Sequence, residues 1–181
     1  MKIRDYSKWY TPRKECADLV SLAELTSEST LLEPSAGSGN IIKQVHVRMP
    51  HAQVTAVEVS ESGLAYLHTM SNVRVIKDDF LNYPITNKFD RIIANPPFTN
   101  DIWILHLLKM SEHLNENGIL VCIIPVKPIM PYNYWLHDAL NEALGIAQLN
   151  NNKSIEIFPM QNWANNSDGS FTEIQVIKWI K

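Results

Sequence analysis

Cysteine, excess positive charge and long apolar runs are all scarce in this chain, and each scarcity excludes something. Only Cys16 and Cys122 occur in 181 residues. The first sits in a helix-like stretch and the second in the apolar run 119–124, so both read as small core residues. No disulfide is expected between them, and no spacing suits zinc. The six histidines are scattered without pairing, and no metal is called for. Sixteen Lys and Arg against nineteen Asp and Glu leave a net charge of −3. A protein that coats nucleic acid through counterion release carries the opposite balance. Any nucleic-acid contact must then come from a local basic patch or a partner subunit. No apolar run is long enough to span a bilayer, and residues 1–5 do not resemble a signal peptide. This predicts a cytoplasmic protein with no membrane partner.

What remains is ordinary globular material, 45% hydrophobic and 19% charged, enough for one domain with a sizeable core. Residues 1–181 read as that single domain, with 1–13 as an amino-terminal arm and no separate target-recognition domain. Helical spacing of apolar residues marks 14–25, 38–48, 61–70, 102–114 and 134–144. Strand-like runs fall at 30–33, 54–59, 73–76, 89–94 and 119–124, with Gly118 closing the turn into the last. Strands alternating with helices of about ten residues argue for a doubly wound, mostly parallel α/β sheet covered on both faces. After Gly145 the rhythm changes. Segments 153–158 and 172–180 are strand-like, and the polar stretch between them carries no helix signal. They predict a carboxyl-terminal antiparallel hairpin, and seven strands in all.

Two turns carry chemistry. Glu33-Pro34-Ser35-Ala36-Gly37-Ser38-Gly39-Asn40 follows a strand and opens a helix, where Gly37 and Gly39 permit a tight turn and close backbone approach to a cofactor. About twenty residues on, at the end of the next strand, Glu58 is placed to accept from ribose hydroxyls. Ile42 stands where a dinucleotide fingerprint needs Gly or Ala, which counts against NAD. The acidic Glu33 suits a cationic amino group better than a pyrophosphate. S-adenosylmethionine offers that ammonium.

The second turn, Asn95-Pro96-Pro97-Phe98, follows the strand-like Arg91-Ile92-Ile93-Ala94. Two prolines hold the chain extended and leave its carbonyls free as acceptors. The Asn95 side-chain oxygen and the Pro96 carbonyl can together accept from one planar amino group and aim its nitrogen at a methyl carbon, an effect of orientation rather than proton removal. Phe98 offers a flat apolar face for a base taken out of its stack.

In order and spacing, LEPSAGSGNI, VEVS, DDFLNY and ANPPF resemble the gamma-type amino-methyltransferases that act on DNA adenine, and most of all their small phage and plasmid forms. The likeness runs from about Tyr10 to Pro125. It implies a Rossmann-like class I methyltransferase that uses S-adenosylmethionine and methylates adenine N6. Tyr10-Thr11-Pro12 is similar to the family's amino-terminal motif, which closes over the methionine end of the cofactor. Asp79-Phe80 resembles the pair that holds its adenine, although Asp78 is adjacent and period alone does not choose between the two aspartates. The implied cofactor set is Tyr10, Thr11, Glu33, Pro34, Ala36, Gly37, Gly39, Glu58, Asp79, Phe80 and Asn95. The implied catalytic set is Asn95, Pro96, Pro97 and Phe98. Gly169-Ser170-Phe171 is also similar to the family's carboxyl-terminal segment, but the Thr- and Arg-containing motif expected after it is absent.

Other features have two readings. Lys2, Arg4, Lys8, Arg13 and Lys14, interleaved with Tyr6, Trp9 and Tyr10, form either a nucleic-acid arm or a solvated terminus diluted by Asp5 and Glu15. Lys127 is a candidate phosphate contact. Residues 128–135 line a substrate cleft or pack in the core, and Tyr10 is likewise a site residue or a core aromatic. His106 reads as structural. Asn-Pro-Pro-aromatic turns also serve methyltransferases of rRNA bases and of protein glutamine, and Phe98 rather than Tyr weakly favours a base. A cofactor-binding subunit without activity is the competing class, and the presence of every transfer residue argues against it.

Overall fold

The computed structural model describes residues 11–126, 135, 138, 155–159, 164–165 and 171–181. Its elements alternate as the apolar periodicity predicts: α1 (Arg13–Leu22), β1 (Leu31–Glu33), α2 (Asn40–Arg48), β2 (Val54–Glu58), α3 (Glu61–Leu67), β3 (Val73–Lys77), β4 (Phe89–Ala94), α4 (Ile102–His113) and β5 (Leu114–Pro125). The short strands β6 (Ile155–Pro159), β7 (Ala164–Asn165) and β8 (Phe171–Thr172) follow, then β9 (Ile174–Ile180).

Seven strands form one sheet in the order β3-β2-β1-β4-β5-β9-β6. The pairs from β3 to β5 are parallel, and β9 runs antiparallel to both β5 and β6. The expected antiparallel pairing of the last two long strands is present, with Ile155 opposite Trp179. Its position is not one that sequence order suggests, because β9 inserts between β5 and β6. A further ribbon, β7 with β8, was not expected. Strand order reverses at β1, the place in a doubly wound sheet where ligands bind beyond the carboxyl ends of the strands. There the ends of β1 (Glu33), β2 (Glu58) and β4 (Ala94) stand side by side.

Alternation splits the core into two layers. Leu32, Ile92 and Leu120 face α4 with Leu107 and Met110. Leu31, Ile93, Val121 and Val176 face α1 and α2 with Leu19, Ile42 and Val45. Each such fully buried aliphatic side chain contributes roughly 1.5–3 kcal/mol of transfer free energy.

Several boundaries differ from the periodic reading, among them the end of α3 at Leu67 rather than residue 70. The first helix stops at Leu22, and Glu24 then takes a left-handed φ of 48°. The second starts at Asn40 rather than residue 38, because Gly39 precedes it at φ 72°. Strand β5 begins at Leu114, and Gly118 lies within it. Phe89 of β4 faces Leu114 while Arg91 faces Ile119, so the intervening β5 residues bulge out of register. The helix expected over 134–144 falls outside the described residues, apart from the helical Trp135 and Asp138. Among the described residues no helix is long and apolar enough to cross a membrane, and no group of three or more His, Cys, Asp or Glu could hold a metal ion. Both cysteines are free and buried.

His106, on α4, is 5% exposed, with Nδ1 3.4 Å from Ser35 Oγ and its ring tilted against Phe80. Burial pushes its pKa down from 6.5 to about 4. The unfolded chain therefore binds a proton that the folded chain refuses across that window. Stability from a neutral His106 is complete above about pH 6.5 and is lost as pH falls toward 4, about 3 kcal/mol in all. Urea unfolding of wild type and His106→Leu at pH 7 and pH 4 should show the gap between them shrinking by that order. A constant gap would mean that the imidazole titrates normally.

Candidate active site

Beyond β1, β2 and β4 lies a pocket lined by Thr11, Glu33, Ser35, Ala36, Gly37, Ser38, Asn40, Ile41 and Asn95. Its floor is the glycine turn. Gly37 and Gly39 both take positive φ, 51° and 72°, which other residues adopt only with strain. The turn is tied to β2 by the Ala36 amide, which donates to the Val57 carbonyl at 3.0 Å.

Glu33 ends β1 at 3% exposure, and its Oε2 is buried with no hydrogen-bond partner. Burial, and then repulsion from Glu58, hold its carboxyl well above the usual carboxylate range; the Ile42 amide opposes this only in part. A buried carboxyl oxygen without a partner is costly, and Glu33 lines a cavity. Such a group fits a cationic ligand, since an ammonium satisfies both its hydrogen bonding and its charge.

Glu58 ends β2 and closes on the turn. Its Oε2 accepts from the Gly37 amide at 2.6 Å, and its Oε1 from the amides of Val59 and Ser60 at 3.0 and 2.6 Å. Oε2 keeps a second lone pair for a ligand hydroxyl. Packing from α3 is equally close. A Cβ on Gly63 would lie 2.7 Å from the Gly37 carbonyl oxygen and 2.9 Å from Glu58 Cγ. Gly63→Ala, normally a gain of about 1 kcal/mol within a helix, should here destabilise by about 1–3 kcal/mol through overpacking. It should also weaken ligand binding to the displaced turn. Thermal melting and calorimetry would read both, and a raised melting temperature would contradict this close approach.

Thr11 crosses above the turn, 5% exposed. Its carbonyl accepts from Asn40 Nδ2 at 3.0 Å and from Cys16 Sγ at 3.4 Å, and its Oγ1 accepts from Asn95 Nδ2 at 3.1 Å. Burial and the neighbouring Glu33 and Glu15 push the Cys16 thiol up to about 12, so it is an inert donor and no nucleophile. Asn95, half-buried directly after β4, commits its amide nitrogen to Thr11 and leaves Oδ1 as an acceptor. Pro96 is buried, and Phe98 is half-buried against residues of both core layers.

The structure thus brings together Thr11, Glu33, Ala36, Gly37 and Asn95 around one pocket, with Glu58 bonded to its floor. Pro34, Gly39, Pro96, Pro97 and Phe98 stand beside it in the same two turns. Asp79 caps the short turn Phe80–Asn82, its Oδ1 accepting from the Leu81 amide. Phe80 is 2% exposed, packed against His106 and His113. Neither belongs to the pocket lining. Tyr10, Lys127, Gly169, Ser170 and most of the basic arm lie outside the described residues, while Arg13 and Lys14 are exposed on α1. Periodicity passed over Ser35, Ser38, Asn40, Ile41 and Gly63. The side-chain amide at the first position of α2 was the one available signal for Asn40.

A protein-family model described as the methyltransferase small domain matches residues 19–158. The modification methylase CviBIII of Paramecium bursaria Chlorella virus NC1A is 30% identical over 140 residues, 65% of this chain and 37% of that protein. Ribosomal RNA small subunit methyltransferase C of Haemophilus influenzae is 28% identical over 141 residues, covering 72% of this chain and 42% of the relative. The chain therefore spans well under half the length of these relatives. Among solved structures, coclaurine N-methyltransferase bound to N-methylheliamine and SAH superposes with a TM-score of 0.60 at 14% identity, over 93% of this chain and 70% of the other. That likeness is one of fold.

Proposed function

This chain belongs to the methyltransferase small domain family, and we propose that it methylates an exocyclic amino group of a nucleic-acid base, adenine N6 in DNA first among them, with S-adenosylmethionine as cofactor. One observation carries the reading. An Asn-Pro-Pro turn at the end of β4 shares a pocket with a buried carboxyl whose Oε2 has no partner, so an acceptor for an amino nucleophile stands beside an acceptor for a ligand ammonium.

Bound S-adenosylmethionine supplies an electrophilic methyl on its sulfonium. Glu33 would take the ammonium, the glycine turn would admit the ligand backbone, and Glu58 would accept from ribose hydroxyls; Asp79 and Phe80, outside the pocket lining, would meet the adenine only where the ligand extends past that lining. Thr11, which lines the pocket, would close over the methionine end, as the resemblance implies for Tyr10 as well. Asn95 Oδ1 and the Pro96 carbonyl accept the two amino hydrogens and hold the nitrogen lone pair toward the methyl carbon. Pro97 keeps that carbonyl aimed, and Phe98 stacks on the base. As the N–CH3 bond forms the S–CH3 bond would break, leaving S-adenosylhomocysteine as a neutral thioether. The methylated nitrogen, now cationic and acidic, would release its proton to solvent, so no strong base and no metal is required.

The match to ribosomal RNA small subunit methyltransferase C supports rRNA as a second substrate, since the same two acceptors suit a base amino group in either polymer. The net charge of −3 points to a local basic patch or a partner subunit for polymer affinity. Incubation with methyl-labelled S-adenosylmethionine and unmethylated duplex DNA, single-stranded DNA, rRNA or protein extract tests the assignment. N6-methyladenine in digested DNA is the expected product. Label confined to RNA or protein would replace the substrate, and no transfer despite cofactor binding would favour a subunit without activity of its own.

A further inference from the structure

We infer that Thr11 is a positioning residue for the transfer step, acting through the Asn95 side chain rather than on the nucleophile. This rests on the amino-transfer reading above. A side-chain amide can hold an amino group only if its own nitrogen has somewhere else to go. In Asn95 that nitrogen donates to Thr11 Oγ1 at 3.1 Å, across 84 residues of sequence. Two bonds are then satisfied together: Thr11 accepts from Nδ2, and Oδ1 accepts from the incoming amino group. The amide turned by half a rotation would present its own hydrogens to that group, donor against donor.

Thr11 is suited to the task because its backbone is fixed without help from its hydroxyl. The carbonyl is held by Asn40 Nδ2 and Cys16 Sγ, and the next residue opens α1, where the Pro12 carbonyl accepts from the Cys16 amide at 3.0 Å. A β-branched side chain adds a stiff χ1. Removing only the hydroxyl should therefore leave the segment in place and leave Asn95 Nδ2 without a partner in a half-buried site. The side chain then loses its defined orientation, and with it the aim of the nucleophile.

The variants are Thr11→Val, which keeps shape but has no acceptor, and Thr11→Ser, which restores one. Two measurements apply to each: the single-turnover rate of methyl transfer, and the side-chain 15N–1H signals of Asn95, identified by their loss in Asn95→Ala. Thr11→Val should slow transfer by about 10-fold, with the loss greater in rate than in cofactor affinity, and should shift the Asn95 amide signals. Thr11→Ser should recover most of the rate and the signal positions. If valine's second methyl disturbs folding, Thr11→Ala repeats the test. An unchanged rate, unmoved Asn95 signals, or a serine variant as slow as the valine one would each overturn the assignment. If wild type methylates no amino group, the functional reading fails separately, while the spectra still report whether Thr11 holds Asn95.

Discussion

Asn95→Ala is expected to reduce methyl transfer on the order of 10²- to 10³-fold, with a much smaller effect on cofactor affinity. The estimate follows from what the side chain contributes. It is one of two acceptors for the amino hydrogens, on a turn whose prolines remove backbone freedom and whose register is fixed by β4 lying between β1 and β5. Loss of one preorganised hydrogen-bonding group at a reacting centre typically costs that factor. Single-turnover rates at saturating cofactor give the chemical step, and calorimetry gives cofactor binding. Asn95→Asp, which keeps acceptor oxygens, should retain far more activity than the alanine variant. Equal activity in wild type and Asn95→Ala would remove this turn from the mechanism.

Glu33→Gln should produce two effects of opposite sign. In the cofactor-free protein the Glu33 carboxyl sits well above its ordinary 4.5, chiefly through burial. The folded chain thus holds a proton that the unfolded chain releases, and stability falls as pH rises from about 4.5 through the raised folded value. Glutamine cannot ionise, so the variant should be more stable than wild type at pH 8 and differ little below pH 4.5. Cofactor binding should move the other way. An ammonium needs the carboxylate, so binding favours the ionised form of Glu33, and affinity should rise with pH until that group has ionised. Removing one member of a buried charge pair costs several kcal/mol, on the order of 10²-fold in Kd. Calorimetry in two buffers of different ionisation enthalpy should detect proton release in wild type and none of it in Glu33→Gln. A variant that is less stable at pH 8, or that binds as tightly as wild type, would show that Glu33 is not the ammonium partner.

The stability gain and the binding loss share one cause. On the proposed reading, the Glu33 Oε2 that has no partner within the chain would find one in the ligand ammonium. The same economy is visible at Glu58, whose carboxylate gathers the Gly37, Val59 and Ser60 amides and so shapes the turn that the ligand enters.

Much of this was legible in the order of residues. Strand and helix periods, the glycine turn and the Asn-Pro-Pro-Phe turn depend on local sterics and on which face of an element is apolar, so they survive being read one window at a time. Helix ends were less legible, because Gly39 and Glu24 take left-handed conformations that shorten α2 and α1 by a residue or more. Glu33 and Asn95 were found as candidates because one ends a strand and the other begins a turn, and Gly37 because a glycine within such a turn permits close backbone approach. Their joint pocket was a matter of sheet order, which parallel pairing at β1 decides.

Tertiary structure alone decided the rest. The placement of β9 between β5 and β6 depends on pairing along both its edges, and no local pattern encodes which strand it joins. The bond between Thr11 and Asn95 spans 84 residues, and the contact of Gly63 with Gly37 is made between a helix and a turn of different units. Periodicity identified His106 as structural, but its depressed pKa comes from burial that only the packed chain produces. Local chemistry therefore determined the elements and the two candidate turns. Packing determined which groups meet, because desolvation and long-range hydrogen bonds exist only once the layers have closed.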